Sequence, residues 1–379
     1  MSLVAYTGFL ALAVWVYLLG FRGMFWRLRE RDDVAVPFSG RWPSVTAIVP
    51  ARDEIATIAP SVGSLLAQDY PGDFRIVLVD DQSSDGTGAC ARALDNGARL
   101  EVLRGLEPLP GWTGKLWALK QGVVHAGAQA PDYFWFTDAD IAHSSDNLRQ
   151  LVARAEAGRL VMVSLMAKLR CESFAERFLV PAYVFFFAML FPFSRVNRPG
   201  DSMAAAAGGC ILLRRDALER AGGIESIRRE IIDDCALGRR LKGQGPIWLG
   251  LTERAVSLRP YPYLRDIRQM VARSAYAQLR YSPILLLGTL AGMIAIYAAP
   301  PFIAVFGTGG ARIAAGLAWL GMAAAFQPML RFYRRSPLWG LTLPLIGIFY
   351  TAFTVDSAIQ FWRGRGGMWK GRIQTMTRA

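Results

Sequence analysis

Long apolar stretches restrict what this chain can fold into more than any other feature. Residues 284–306, 313–330 and 338–361 carry almost no charge, and a similar stretch, residues 3–20, lies near the start. Each is close to the roughly 20 residues with which a helix crosses a bilayer. We therefore predict a membrane protein, with one transmembrane helix in residues 1–21 and further transmembrane helices in residues 284–362.

Basic residues beside these stretches indicate how the protein is oriented in the membrane. Four arginines closely follow the first stretch: Arg22, Arg27, Arg29 and Arg31. The positive-inside rule then predicts a multi-pass protein of the inner membrane whose central domain faces the cytoplasm. The tail, residues 363–379, is also basic, and three further crossings would put it outside, against the same rule. Either one stretch does not cross fully or the rule fails here.

A further apolar segment, residues 178–193, interrupts the central part of the chain. It contains Pro181 and Pro192 and is flanked by Arg177 and Arg195. We expect an interfacial helix that lies against the membrane, and a short buried helix is the alternative.

Composition narrows the class of ligand. The net charge of +13 is dispersed and accompanies no nucleic-acid reader motif. We therefore expect this charge to contact anionic lipid headgroups or a phosphorylated donor rather than nucleic acid. Because the chain has only two histidines, any metal must be held mainly by carboxylates, which indicates Mg2+ or Mn2+.

The central part, residues 43–281, is predicted to be an α/β domain. Predicted strands at residues 45–49, 74–79, 100–103 and 133–136 alternate with helices. This alternation is typical of a parallel sheet with right-handed crossovers, whose ligands bind beyond the carboxyl ends of the strands.

Acidic pairs follow two of these predicted strands. Asp138-Ala-Asp140 comes after the fourth, and its two carboxylates can hold a hard cation that bridges phosphate oxygens. Asp80-Asp81 comes after the second, and carboxylates there can accept hydrogen bonds from ribose hydroxyls or a base N–H. The structural alternatives are a polar turn for the first pair and helix capping for the second.

Two more motifs place charged groups at helix starts. Pro50-Ala51-Arg52-Asp53 follows the first strand, where Asp53 can contact a nucleoside and Arg52 a phosphate, although an ordinary helix start explains them equally well. Lys115 opens a predicted helix, where the dipole disfavours a cation. Pairing with a diphosphate or with the acidic cluster would explain it, and a solvated lysine is the alternative.

The second half of the domain adds two short motifs. Gly208-Gly209-Cys210 ends a run of small residues, which either lets a ligand approach the backbone or packs two elements tightly. Asp233-Asp234 opens a predicted helix, where a carboxylate can take the proton of an attacking hydroxyl or merely cap the helix.

In their order along the chain, these motifs resemble the family 2 inverting glycosyltransferases. The resemblance covers roughly residues 43–281 and implies the GT-A fold, a Rossmann-like mixed sheet with helices on both faces. Within that family the chain is most similar to the hopene-associated glycosyltransferases and more distantly to ceramide glucosyltransferases. Those similarities extend over the whole length, including Gly-Gly-Cys-Ile-Leu-Leu and Val-Ala-Arg-Ser-Ala-Tyr-Ala-Gln-Leu.

The resemblance implies roles for individual residues. Asp53 and Asp81 would contact the nucleoside, Asp138 and Asp140 the metal and diphosphate, and Asp234 would be the general base. The implied donor-binding set is Pro50, Ala51, Arg52, Asp53, Asp80, Asp81, Lys115, Asp138 and Arg273, and the implied acceptor-binding set is Gly208, Gly209 and Cys210.

Two departures from the family pattern affect these roles. Asp233 stands where the family has a glutamate, so the catalytic pair has a shorter reach. The family's (Gln/Arg)-x-x-Arg-Trp motif is not intact, because Ser274 follows Arg273. The residue that clamps the diphosphate is therefore left open.

Together these features predict a membrane-bound enzyme that transfers a sugar, with inversion, from a nucleotide-sugar to a lipid acceptor. The expected donor is a UDP-sugar, and the resemblance suggests a hopanoid-related acceptor. A polyprenyl-phosphate or polysaccharide glycosyltransferase would share the donor site. A non-catalytic membrane scaffold would not need acidic clusters at strand ends.

Overall fold

The computed structural model describes residues 3–94, 99–370 and 372–373. Contacts divide the chain into two compact units. The sheet unit comprises residues 30–170, 195–260 and 368 onwards, and the helical unit comprises residues up to 29, 171–194 and 261–367. The sheet unit is thus discontinuous in sequence, whereas the sequence pattern predicts one continuous domain over residues 43–281.

The sheet unit alternates strands and helices. In chain order its elements are β1 (Val45–Ala51), α2 (Ile55–Leu66), β2 (Phe74–Asp80), α3 (Thr87–Ala93), β3 (Leu100–Arg104), α4 (Gly114–Gly127), β4 (Tyr133–Thr137), β5 (Ile141–His143), α5 (Asn147–Ala157), β6 (Met162–Lys168), β7 (Cys210–Arg214), α8 (Arg215–Arg220), α9 (Asp233–Lys242), β8 (Ile247–Ser257), β9 (Met368–Trp369) and β10 (Arg372–Ile373). The helical unit contains α1 (Leu3–Gly20), α6 (Phe174–Leu190), α10 (Leu264–Ala272), α11 (Ala275–Gln278), α12 (Pro283–Met293), α13 (Ala299–Phe306), α14 (Gly309–Phe332) and α15 (Leu343–Trp362), and α7 (Phe193–Val196) spans a boundary between the units.

The main sheet has eight strands in the order β3-β2-β1-β4-β7-β6-β8-β5. The neighbours β3, β2, β1 and β4 pair in parallel, as the alternation of elements predicts. The later strands add antiparallel pairs, because β7 pairs antiparallel with both β4 and β6, and β5 pairs antiparallel with β8. The mixed sheet confirms the predicted fold class.

The central strand β1 is buried along its whole length because helices cover both of its faces. Ala47 and Val49 point into the core that contains Ile58 of α2. On the other face, Ile48 lies against Gly122 of α4, whose missing side chain lets the helix approach closely. Continuous apolar strands of this kind are expected in a sheet covered on both sides.

The helical unit is built from the apolar stretches. By length and composition, four of its helical segments within the described residues are able to cross a membrane: Phe174–Val196, Pro283–Phe306, Gly309–Phe332 and Pro337–Trp362. The described part of the first helix, Ala5–Gly20, is apolar but shorter. A π-helical turn, Ile294–Ala298, joins α12 to α13 within the second segment. These findings support membrane association.

Candidate active site

The parallel register brings three predicted motifs to one edge of the sheet. Ala51 at the end of β1 pairs with Asp80 at the end of β2. On the other side of β1, Ile48 pairs with Phe136 near the end of β4, directly before Asp138. The turn after β1 and both acidic pairs therefore share the carboxyl edge, where open α/β sheets bind their ligands.

Lys115 connects acids from two distant parts of the chain. Its Nζ lies 2.9 Å from Asp138 Oδ1 and 3.3 Å from Asp233 Oδ2. Burial alone would lower the pKa of Lys115, but the charges of Asp138 and Asp233 outweigh it and raise that pKa. Lys115 is therefore a fixed positive charge at the start of α4, where the predicted conflict with the helix dipole is relieved by its acidic partners.

Asp234 lies beside the same lysine. Its Oδ2 accepts a hydrogen bond from the Gly208 backbone N–H at 3.0 Å, which orients the carboxylate. Burial, and then the charge of neighbouring Asp233, raises the pKa of Asp234 to about 6. Near neutral pH this group is thus ionised yet more basic than an ordinary aspartate, the combination that a general base requires.

The pKa of Asp138 is also changed by its surroundings. Burial is the main cause that raises its pKa, the nearby Lys115 opposes this, and the charge of Asp140 adds to it. A carboxylate in this situation is stabilised by any additional cation. Asp138, Asp233, Asp234 and Lys115 line one small cleft together with Gly208.

Asp140 is held by a residue that the sequence did not indicate. Its Oδ2 accepts a hydrogen bond from Arg259 Nε at 2.7 Å, and the same guanidinium also pairs with Glu54. Lys370 Nζ lies 2.9 Å from Glu54 Oε1. Arg259 and Lys370 thus complete a charge network around the acids, and the only signal for Arg259 is its place just beyond the end of β8.

The turn after β1 is tied to the turn after β2. Asp53 Oδ1 accepts hydrogen bonds from the Ser84 backbone N–H at 2.8 Å and from its hydroxyl at 3.3 Å. Arg52 donates to the carbonyl oxygen of Asp81 at 2.5 Å and lies 3.8 Å from its carboxylate. The Asp80 carboxylate accepts a hydrogen bond from the Ser83 backbone N–H at 3.0 Å, so this side chain also stabilises the turn after β2.

Of the other predicted site residues, some line the cleft and some are buried in the core. Pro50 and Gly208 line the cleft, whereas Ala51 is fully buried. The carbonyl of Gly209 accepts a hydrogen bond from Thr137 at 2.9 Å. The Cys210 thiol is fully buried and accepts a hydrogen bond from Trp135 in the core, so its side chain does not face the cleft. The acceptor-binding role of Cys210 stays a prediction.

Arg273, the predicted diphosphate clamp, caps the end of α10. This helix belongs to the helical unit, whereas the acids belong to the sheet unit. The role of Arg273 stays a prediction.

The chemistry of the acidic cluster can be tested for a divalent cation. Within the described residues, no three His, Cys, Asp or Glu side chains form a complete metal site. Mg2+ bound with a diphosphate, however, needs only one or two protein carboxylates, since phosphate and water supply the remaining oxygens. The carboxylates of Asp138 and Asp140 fit this requirement, and each is paired with a cation, Lys115 for Asp138 and Arg259 for Asp140.

A mixed sheet with acidic pairs at the carboxyl ends of β2 and β4, on either side of β1, has the arrangement of the GT-A type of α/β fold. A mannosyltransferase from Pyrobaculum calidifontis, solved in complex with GDP-Man and Mn2+, shares this fold with a TM-score of 0.56 and 20% identity. The similarity covers 95% of this chain and 99% of that one.

Residues 46–222 match the family model of Glycosyl transferase family 2. Among curated proteins it is 28% identical over 204 residues to 4,4'-diaponeurosporenoate glycosyltransferases of Staphylococcus aureus, including those of strains RF122 / ET3-1 and MRSA252. The match covers 53% of this chain, and the chain spans about half the length of these relatives, 52%.

Proposed function

We propose that this protein is a membrane-bound inverting glycosyltransferase that transfers a sugar from a nucleotide-sugar to a lipid acceptor. The observation that carries the proposal is the position of Lys115 between Asp138 and Asp233, with Asp234 in the same cleft. Three motifs that lie far apart in sequence converge there. A structural role alone would not explain so many titratable groups in one cleft.

Each charged residue of the cleft would have a separate role in a single displacement reaction. Asp138 and Asp140 would hold Mg2+ or Mn2+, which supplies charge stabilisation to the diphosphate when bound. Lys115 adds a fixed cation on the side of Asp138, where negative charge grows as the diphosphate leaves. Asp234 takes the proton of the acceptor hydroxyl, whose oxygen forms the new bond to the anomeric carbon while the bond to the diphosphate oxygen breaks.

The backbone orients the proposed base. The Gly208 N–H donates to Oδ2 of Asp234 and the Cys235 N–H donates to its Oδ1 at 2.7 Å, so the backbone fixes both carboxylate oxygens. Each oxygen keeps a second lone pair with which it would accept the proton. Gly208 and Gly209 would form the floor on which the acceptor hydroxyl approaches. The donor's nucleoside would lie toward Asp53 and Asp81, the remaining part of the predicted donor set.

The helices long and apolar enough to cross a membrane, beside the region that matches family 2, support the proposed lipid acceptor. A relative is named for 4,4'-diaponeurosporenoate, which supports a lipid-like acceptor. We propose a hopanoid-related lipid and a UDP-sugar as the finer assignment, on the resemblance described above. The catalytic domain would face the cytoplasm, where nucleotide-sugars are made, in a multi-pass protein of the inner membrane.

Two alternatives make different predictions. A polyprenyl-phosphate or polysaccharide glycosyltransferase would use the same donor site and another acceptor. A membrane scaffold without activity would bind no nucleotide. Titration calorimetry separates the scaffold from both transferases, since only a transferase binds a nucleoside diphosphate in a metal-dependent way.

The calorimetric experiment uses the purified protein with UDP or GDP in the presence of Mn2+. We expect one of them to bind, and we expect EDTA or the substitution Asp138→Asn to weaken binding by at least about tenfold. Asp216→Asn is the matched control, because Asp216 on α8 is paired with the exposed Arg214 and Arg220. Absence of binding to the wild-type protein with either nucleotide would refute the proposed function.

A second variant tests the base. Asp234→Asn should keep nucleotide binding and lower transfer by about 100-fold or more. Near wild-type transfer by this variant would refute the assignment of Asp234 but not the proposed class of enzyme.

A further inference from the structure

The segment after the last apolar helix returns to the sheet unit. Residues 368–370 and 372–373 belong to the same compact unit as β1 and the acidic cluster. Within this segment Lys370 makes three contacts, all with the turn that follows β1. The contacts join positions more than 300 residues apart in sequence.

Each of the three contacts involves a different residue of the turn. Lys370 Nζ donates to the carbonyl oxygen of Asp53 at 2.8 Å and lies 2.9 Å from Glu54 Oε1. The carbonyl oxygen of Lys370 accepts a hydrogen bond from Arg52 Nε at 3.2 Å. The side chain of Glu54 is only 11% exposed and that of Lys370 is 20% exposed, so the contacts are largely shielded from water.

The turn needs such support because Asp53 has an unfavourable backbone conformation. Its φ is +48°, in the left-handed region that a residue other than glycine seldom adopts. Residues held in this region persist only where their surroundings over-determine them, and they cluster at ligand sites. Lys370 fixes the carbonyl of this strained residue, and Ser84 fixes its carboxylate.

We propose that Lys370 is a positioning residue of the donor site. This inference rests on the proposed function, because it assigns the turn to the nucleoside of a nucleotide-sugar. Lys370 neutralises Glu54 and holds the backbone of Asp53, so that Arg52 and Asp53 are presented to the donor in one geometry. Lys370 is then a part of the donor site rather than a solvated lysine.

The test compares three variants of the full-length protein in detergent. Lys370→Gln removes the charge, Lys370→Arg keeps it, and Arg363→Gln removes an exposed charge just after α15 as the matched control. The measured quantities are the Kd for UDP and for GDP with Mn2+, and the KM for the nucleotide-sugar together with kcat.

We expect Lys370→Gln to raise the Kd and the donor KM about tenfold and to change kcat less than about threefold, as loss of a charge-assisted contact predicts. Lys370→Arg should restore most of the affinity, and Arg363→Gln should behave as wild type. An unchanged Kd in Lys370→Gln, or a lower kcat with an unchanged KM, would overturn the role of Lys370 alone. Failure of the wild-type protein to bind either nucleotide would overturn the proposed function as well.

A second inference concerns membrane topology and comes from packing in the helical unit. A Cβ on Gly8 of α1 would lie 2.9 Å from the Ala311 carbonyl of α14, and a Cβ on Gly321 of α14 would lie 3.4 Å from Leu19 of α1. The contacts advance in the same direction along both helices, so α1 and α14 run parallel. Basic residues follow both helices, which places their carboxyl ends on one side under the positive-inside rule.

The helix α15 follows α14, and its C-terminal turns contact charged and polar groups of α10 and α11. Asp356 lies 3.8 Å from Arg268 of α10, and the Ser357 hydroxyl accepts a hydrogen bond from the backbone N–H of Tyr276. Arg268 and its neighbour Arg265 expose much of their side chains, which the hydrocarbon region of a bilayer would not tolerate. The geometry points to a helix α15 that lies along the interface and does not cross.

With residues 178–193 as the interfacial helix predicted from the sequence, this topology has three crossings, α1, α12–α13 and α14. It leaves the residues after α15 on the same side of the membrane as the arginines that follow α1. It also removes the conflict with the positive-inside rule, because all the basic clusters then share one side. Cysteine labelling in intact cells with a membrane-impermeant maleimide tests it. Thr308→Cys, in the turn before α14, should react at once, and Arg363→Cys should react only after permeabilisation. Reaction of Arg363→Cys in intact cells would overturn the inference.

Discussion

Removing the positive charge at the centre of the acidic cleft should change the pH at which the enzyme becomes active. In Lys115→Met, the carboxylates of Asp138 and Asp233 lose the ammonium group that lies 2.9 Å and 3.3 Å away. Asp234 loses a nearby positive charge as well. The ionised form of each carboxylate is then less favourable, and the pKa of Asp234 should rise above its wild-type value of about 6.

The size of the effect follows from geometry. Lys115 Nζ and Asp234 Oδ2 each lie 3.4 Å from the position of a Cβ on Gly208, so they are at most about 7 Å apart, twice that distance. At 7 Å and an effective dielectric constant of about 20, Coulomb's law gives about 2.4 kcal/mol, or about 1.7 in pKa. Because solvent reaches part of the cleft, we expect a rise of about 1 in the apparent pKa.

The assay is the pH dependence of kcat/KM for the donor, which reports the ionisation of the free enzyme. The wild-type rate should rise with pH through about 6 and then level off, because Asp234 acts as a base only when ionised. In Lys115→Met the same rise should be centred near about 7. Lys120→Met is the control, since Lys120 lies on the same helix but pairs with Glu225. Identical pH profiles for Lys115→Met and wild type would refute the electrostatic account of this cleft.

Two further predictions concern stability, measured as the free energy of unfolding in detergent. Gly122→Ala should lower the free energy of unfolding by about 1–3 kcal/mol, because its Cβ would lie 2.5 Å from Ile48. The control, Gly127→Ala on the same helix, meets nothing within 4 Å and should be neutral or slightly stabilising. Equal stability of the two variants would contradict the packing of α4 on β1. Burial lowers the pKa of His143 from 6.5 to about 3, so the native state keeps it neutral while the unfolded chain binds a proton as the pH falls below 6.5. Between pH 7 and pH 5 the wild type should therefore lose about 2 kcal/mol more stability than His143→Gln, and an equal loss in both would show that this histidine is not buried and neutral.

Strands with strong apolar runs could be predicted from sequence, and the site residues attached to them followed. β1, β2 and β4 are apolar runs with acidic residues at or just after their ends. These runs and their alternation with helices indicated both the strands and the edge of the sheet at which the acids meet. The strands β5 to β8 were not predicted. β5 has only three residues, and the antiparallel place of β7 between β4 and β6 depends on long-range pairing that no local pattern contains.

The cations of the site were harder to predict than its acids. Lys115 was found because it opposes the dipole of its own helix, which is a local signal. Arg259 and Lys370 reach the site from distant positions, and their sequence surroundings resemble ordinary surface or tail segments. Cys210 was assigned to the acceptor from its place in a motif, although strand alternation turns its side chain into the core.

The most direct test of the central claim is transfer itself. Purified wild-type protein is incubated with radiolabelled nucleotide-sugars, an extract of bacterial lipids and Mg2+ or Mn2+, in parallel with Asp234→Asn. The account predicts that label from at least one donor enters the lipid phase with the wild type, and that EDTA or the substitution abolishes this. Folded wild-type protein that transfers no label from any donor, or a variant that transfers as well as wild type, would contradict it.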